Sequence, residues 1–328
     1  MRISPIGRTM LMAVALGFSV SGTALAQTAW DMPTPYPDTT FHTQNVQQFA
    51  EDVAKATDGK LTINVHSGGS LFKHPEIKNA VRGGQVPIGE FLLSNIANEN
   101  PVYGVDSVPF LATDHAAAKT LWDASREQVA ALLDKEGLMP LYAVAWPPQG
   151  LYSNKPLNSV DDLRGMRFRA YNPATNRIAE LTGAVPTQIE VPDLPQAFTT
   201  GRVDAMITSA STGAGSKAWD FVSHYYDVQA WLPKNIIVVN KRAFRQLDEA
   251  TQKAVMEAAA QAEQRGWDMS LKEMEEKNAM LKDNGMTVQP PGEDLRAGLA
   301  RIREQMSAEW AKSAGAEGQA ILEAYRAK

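Results

Sequence analysis

Two arginines two residues apart, Arg167 and Arg169, lie in the short alternating run Met166–Ala170. A strand points residues i and i+2 to the same face. The run leads into Tyr171-Asn172-Pro173 and a helical pattern from about Ala174, and a second apolar run, Val203–Ile207, follows a helical stretch over Leu194–Thr200. The spacing predicts strand, helix, strand, helix, strand, the repeating unit of an α/β layer. Arg169 then stands at the carboxyl end of its strand, where open α/β sheets hold ligands. A guanidinium there offers two parallel donors to one carboxylate and does not lose its charge. The alternative is a surface arginine paired with a neighbouring acid. Arg167 is assigned the structural role.

Other chemistry is hard to find. The sequence contains no G-x-S-x-G, no HExxH and no Walker loop. His42, His66, His74, His115 and His224 lack metal-ligand spacing. The expectation is therefore no metal, no cofactor and no catalytic residue. Glu90 is the one nameable acid–base candidate, and no partner stands out for it.

The composition narrows the setting. Arg2 and Arg8, the apolar run Met10–Val20 and Ala24-Leu25-Ala26 read as a secretory signal over residues 1–26, cleaved after Ala26. A membrane anchor is the alternative, but the apolar run is short for a span. There is no cysteine, so the fold must hold by its core. The precursor's net charge of −5 becomes −7 once Arg2 and Arg8 are removed. That balance argues against nucleic acid and anionic membranes, and no stable membrane insertion is expected.

Ahead of the Arg169 unit the pattern repeats: a strand near Thr28–Met32, a helix Thr40–Thr57, a strand Leu61–Val65, a short helix Glu76–Arg82 and a strand Val86–Gly89. Glu90 and Phe91 are placed just after that strand. A helix over Asp114–Gly137 and a strand over Met139–Trp146 lead to the bend at Pro147, Pro148 and Gly150. Phe244–Asp283 is the longest helical signal; Gly266 in its middle leaves open one helix or two. Residues 292–325 form a further helical region, with Trp310 and Tyr325 as anchors.

The runs GMRFRAYNPATNRIAELTGAVPT and LPQAFTTGRVDAM, with GKLTINV and GGQVPIG upstream, resemble the solute-binding proteins of tripartite ATP-independent periplasmic (TRAP) transporters. The resemblance covers nearly all of the chain after the leader. It implies an α/β fold of two lobes, a ligand cleft between them and a long helix spanning both, about residues 244–283. Lobe I would hold residues 27–147 plus about 233–250, and lobe II residues 148–232 plus the C-terminal helices.

In that family the second arginine of this strand clamps the ligand's carboxylate, and Arg169 matches it. Asn172 matches an asparagine that helps hold ligand or arginine. Gln149 falls where some acid-sugar binders carry another arginine. Thr208 and Ser209 stand where VDG-x-E-N normally supplies an asparagine; this chain reads VDAMITS. Glu90 matches a site-facing glutamate of some members, as a ligand acceptor or a brace for Arg169; a helix-start role is the alternative. Tyr36, Phe91, Trp146, Tyr171 and Trp231 are candidate pocket aromatics, with core packing the alternative for each.

One arginine against an apolar cage suits a monocarboxylate with an aromatic or apolar body. The resemblance implies periplasmic capture of such an acid and delivery to a TRAP-type membrane permease. An exported enzyme acting on a carboxylic acid and a sensing subunit of a signalling receptor are the alternatives; monomer or dimer stays open.

Overall fold

The computed structural model describes residues 27–327, so the signal over residues 1–26 and its cleavage site lie outside the described residues. Eleven strands are described: β1 (Thr28–Pro33), β2 (Leu61–His66), β3 (Ile88–Leu92), β4 (Leu138–Ala145), β5 (Gln149–Ser153), β6 (Arg167–Ala170), β7 (Val185–Gln188), β8 (Ala205–Ser209), β9 (His224–Tyr226), β10 (Lys234–Asn240) and β11 (Thr287–Gln289). They form two α/β lobes.

In the first lobe β1 and β2 pair in parallel, and β10 runs between β3 and β4, antiparallel to both. β10, KNIIVVN, is buried except at its last residue, as a central strand of apolar β-branched residues should be. The second lobe holds a six-stranded mixed sheet in the order β11-β9-β5-β8-β6-β7. β6 lies between β7 and β8, parallel to both. The predicted unit around Arg169 therefore forms, and Arg169 lies across from Thr187 and Met206.

Several boundaries move. β3 begins at Ile88, after Pro87, and runs through Leu92, so Glu90 lies mid-strand instead of beyond the strand's end or at a helix start. β5 begins at Gln149, so the Pro147-Pro148 bend is shorter than its composition suggested. The chain crosses from β4 to β5 through that bend and returns between β9 and β10. The two crossings lie side by side: Trp146 N–H donates to Pro233 O at 2.8 Å, Gln149 N–H to Trp231 O at 2.9 Å and Ala230 N–H to Gln149 O at 2.9 Å.

The long helical signal divides at its start. Lys241–Arg245 forms a short helix, Asp248 caps the next by accepting from Thr251 N–H, and Glu249–Asp283 continues unbroken through Gly266. Its 35 residues make a rod of about 50 Å. Its first half lies on the first lobe: Asn45 Nδ2 donates to Ala262 O at 2.9 Å, Arg265 pairs with Asp52 at 2.9 Å and Trp267 Nε1 donates to Ala143 O at 3.0 Å. Its second half joins the other lobe, where Ser211 Oγ donates to Glu273 at 2.5 Å and Leu281 is fully buried. The helix Glu293–Arg326 turns at Gly315, whose φ is 55°. Trp310 Nε1 donates to Pro101 O at 2.8 Å and Tyr325 OH to Leu111 O at 3.2 Å, which ties the tail down. Among the described residues no helix is long and apolar enough to cross a membrane.

Candidate functional site

β6 delivers Arg169 into the gap between the lobes. Asn172 ends the strand's extension and starts the next helix: its Oδ1 accepts from Thr175 N–H at 2.9 Å, and Pro173 occupies the first helical turn, where its missing N–H costs nothing. The two arginines of the strand separate by depth. Arg167, half exposed, forms a fork with Asp204, with Nε donating at 2.8 Å and Nη2 at 2.6 Å. Arg169 is 2% exposed. Among the described residues it forms no ion pair, and its one hydrogen bond runs from Nε to Ile189 O at 2.8 Å. Its guanidinium carbon sits 4.5 Å from the Tyr171 ring centroid. Both terminal nitrogens are thus left for something else. Burial lowers its pKa, with Tyr171, Glu190 and Tyr36 pulling the other way. An arginine stays charged through such a shift, and a buried charge without a counter-ion is costly.

The guanidinium faces a small cavity. Its volume is about 30 Å³, and it opens onto solvent. That is room for one or two waters in this conformation. Six of the sequence candidates line it: Tyr36, Trp146, Gln149, Arg169, Tyr171 and Thr208. They come from both lobes and from the β4–β5 crossing. Gln149 is committed, accepting from Tyr171 OH at 3.0 Å and donating to Pro147 O at 2.9 Å. It braces the aromatic wall and adds no second charge.

The other five candidates lie elsewhere. Glu90 is fully buried behind the wall and does not touch Arg169; its oxygens accept from Thr34 Oγ1 and, at 2.8 Å, from Asn235 Nδ2. Burial raises its pKa against these two bonds. Phe91 and Asn172 border an outer, open cleft, and Asn172 also bridges the lobes by donating to Ser94 Oγ at 2.9 Å. Ser209 caps the helix Ala210–Gly215, accepting from Thr212 N–H at 3.1 Å. Trp231 is buried in the core beneath the crossing.

His74, Leu92, Glu190, Val191, Thr212 and Pro233 complete the lining and were not singled out in the sequence. His74 is buried. Leu92 N–H donates to its Nε2 at 3.0 Å, which assigns the proton to Nδ1, and Nδ1 donates to Glu190 Oε2 at 3.1 Å. This bond joins the helix His74–Arg82 of the first lobe to the segment after β7 in the second. A signal for Glu190 existed: β6 and β7 are parallel neighbours in register, Ala170 opposite Gln188, so both strands end at the same edge.

Asn235 organises the aromatic side. Its Oδ1 accepts from Trp146 Nε1 at 2.9 Å and Tyr36 OH at 3.1 Å, while its amide nitrogen is held by Glu90. Asn235→Leu leaves two buried donors and one Glu90 carboxylate oxygen unserved. At about 1–3 kcal/mol for each unpaired group, the expected loss is at least about 3 kcal/mol. Urea unfolding of the variant checks this through the transition midpoint.

Among the described residues no group of three or more acidic or histidine side chains is placed to hold a metal ion. The arrangement is suited to recognition: an unpaired buried cation, aromatic walls and contributions from both lobes.

Comparisons with known proteins agree with that architecture. The model of the bacterial extracellular solute-binding protein family 7 matches residues 34–316. The chain is 46% identical to DctP7 of Bordetella pertussis, an extracytoplasmic solute receptor whose structure was solved binding pyroglutamic acid; the match covers 91% of this chain and 99% of that one, with a TM-score of 0.90. DctP6 of the same organism, also binding pyroglutamic acid, is 46% identical over 92% of this chain and 100% of its own, with a TM-score of 0.90. A TRAP solute-binding protein from a marine metagenome, specific for pyroglutamate and solved with it, is 41% identical over 92% of this chain and 99% of that chain, with a TM-score of 0.90.

Proposed function

Because this chain belongs to family 7 of the bacterial extracellular solute-binding proteins, the binding proteins of TRAP transporters, we propose that it captures pyroglutamate or a close analogue in the periplasm and hands it to a TRAP-type permease. The observation that carries this reading is Arg169, a buried guanidinium facing a compact cavity with no hydrogen-bond partner for either terminal nitrogen among the described residues. A carboxylate seated on it replaces the missing counter-ion with two charge-assisted hydrogen bonds. Identity above 40% to three pyroglutamate-binding proteins over at least 91% of the chain supports the choice of acid. A cavity this small favours a compact acid over an extended aromatic one. Gln149, holding Tyr171 in place, fits one carboxylate better than two.

The lobes, residues 27–147 with about 233–250 and residues 148–232 with the C-terminal helices, close about the paired crossings. Closure removes water from around the guanidinium and strengthens its hold on the acid. The leader is cleaved after Ala26, and the permease receives the closed form.

A thermal-shift screen of the mature protein tests the ligand. At a hundred times its dissociation constant, pyroglutamate adds about 2.7 kcal/mol of stability and raises Tm. Glucuronate and succinate at the same concentration produce smaller shifts. A shift with succinate or glucuronate and none with pyroglutamate overturns the choice of acid.

A further inference from the structure

The cavity that holds Arg169 also holds a negative charge. Glu190 lines it together with Tyr36 and His74. Each Glu190 oxygen receives one hydrogen bond, Oε2 from His74 Nδ1 and Oε1 from Gln188 Nε2, both at 3.1 Å. An ionised carboxylate offers about four acceptor positions, so about half of them remain open. Burial pushes the Glu190 pKa up, but the His74 hydrogen bond and the fields of His74 and Arg169 hold it below the ordinary value. Glu190 is therefore an anion at neutral pH.

Its neighbours make this side of the cavity one of acceptors. The Tyr36 O–H is committed to Asn235 Oδ1, so its oxygen can turn only lone pairs toward a ligand. His74 has no donor to spare, with Nε2 accepting from Leu92 N–H and Nδ1 serving Glu190. Closing the cavity over an acid with no donor of its own would strip water from the partly exposed Glu190 carboxylate and replace it with nothing, which costs that carboxylate a hydrogen bond.

We infer that Glu190 is the specificity-determining residue of the site: it accepts a hydrogen bond from a ring or amide N–H of the ligand, so the cavity takes lactam- or amide-bearing acids in preference to lactone or carbocyclic acids of the same shape. The inference rests on the proposed binding of the ligand's carboxylate at Arg169. Arg169 holds the acid, and Glu190 distinguishes among acids.

Calorimetric titration of wild type and Glu190→Gln with pyroglutamate and with the matching five-membered lactone acid, in which a ring oxygen replaces the N–H, tests it. Wild type should bind the lactone about ten- to a hundred-fold more weakly than the lactam. Glu190→Gln should weaken the lactam about tenfold and leave the lactone unchanged or tighter, so that the preference narrows. Wild type binding the two acids within about threefold overturns the inference while leaving the Arg169 reading intact. Equal weakening of both acids by Glu190→Gln also overturns it, because Glu190 would then act only through its bond to His74. If wild type binds neither acid, the proposed ligand itself falls, and this inference with it.

Discussion

Replacing Arg169 with methionine should weaken pyroglutamate binding by roughly a hundred- to a few thousand-fold, the range for breaking a buried charged hydrogen-bonded pair. Methionine keeps most of the stem's volume and removes the fork. The same substitution should leave the ligand-free protein about as stable as wild type, or slightly more stable. Arg169 is buried, makes one hydrogen bond to Ile189 O and has no acidic partner among the described residues. Losing that bond, the contact with Tyr171 and the field on Glu190 costs about 1–2 kcal/mol, while removing a buried charge that has no directly bonded counter-ion returns a similar amount. Calorimetry gives the first quantity and the urea midpoint of ligand-free protein the second. A variant that binds normally, or one that unfolds far more easily without ligand, would make Arg169 a structural residue.

The second large effect concerns the rod that joins the lobes. Gly266→Ala should destabilise the protein by about 1–3 kcal/mol, although in an exposed helix the same change would stabilise by about 1 kcal/mol. A Cβ at Gly266 would lie 2.4 Å and 2.8 Å from the two Val144 methyl carbons and 2.7 Å from Asn45 Nδ2. Val144 is on β4 and fully buried, and Asn45 is held by Ala262 O and Arg265. Neither can yield without moving the strand or the helix. For a chain of this size the loss corresponds to several degrees in Tm, read by calorimetry. An unchanged or raised Tm would mean that the helix can lift off β4 at little cost.

Gly266 also shows where sequence reading ran out. As a letter in a helical pattern it suggested a break; its reason is a close approach to a strand more than a hundred residues earlier, which periodicity cannot express. Periodicity was enough for the β6–β7–β8 unit and for the long helical signal, because each rests on local apolar spacing, whereas the crossings between lobes came from the family resemblance. The place of Arg169 near a strand end was legible because a strand running into Tyr-Asn-Pro is a local feature; its ligand role came from the family resemblance. Glu90 was misplaced because the strand starts two residues later than its apolar run, after Pro87, and so carries the glutamate inward. The pairing of His74 with Glu190 escaped notice because it joins residues 116 positions apart in the chain. Gln149, Tyr171 and Trp146 were singled out, but the bonds that make them a braced wall depend on Asn235 and on the crossings lying side by side.

The most direct measurement is a crystal structure of the mature protein with pyroglutamate. Both carboxylate oxygens should lie about 2.8 Å from the terminal nitrogens of Arg169, inside the cavity walled by Trp146 and Tyr171. Pyroglutamate bound with its carboxylate away from Arg169, or outside this cavity, would contradict the account.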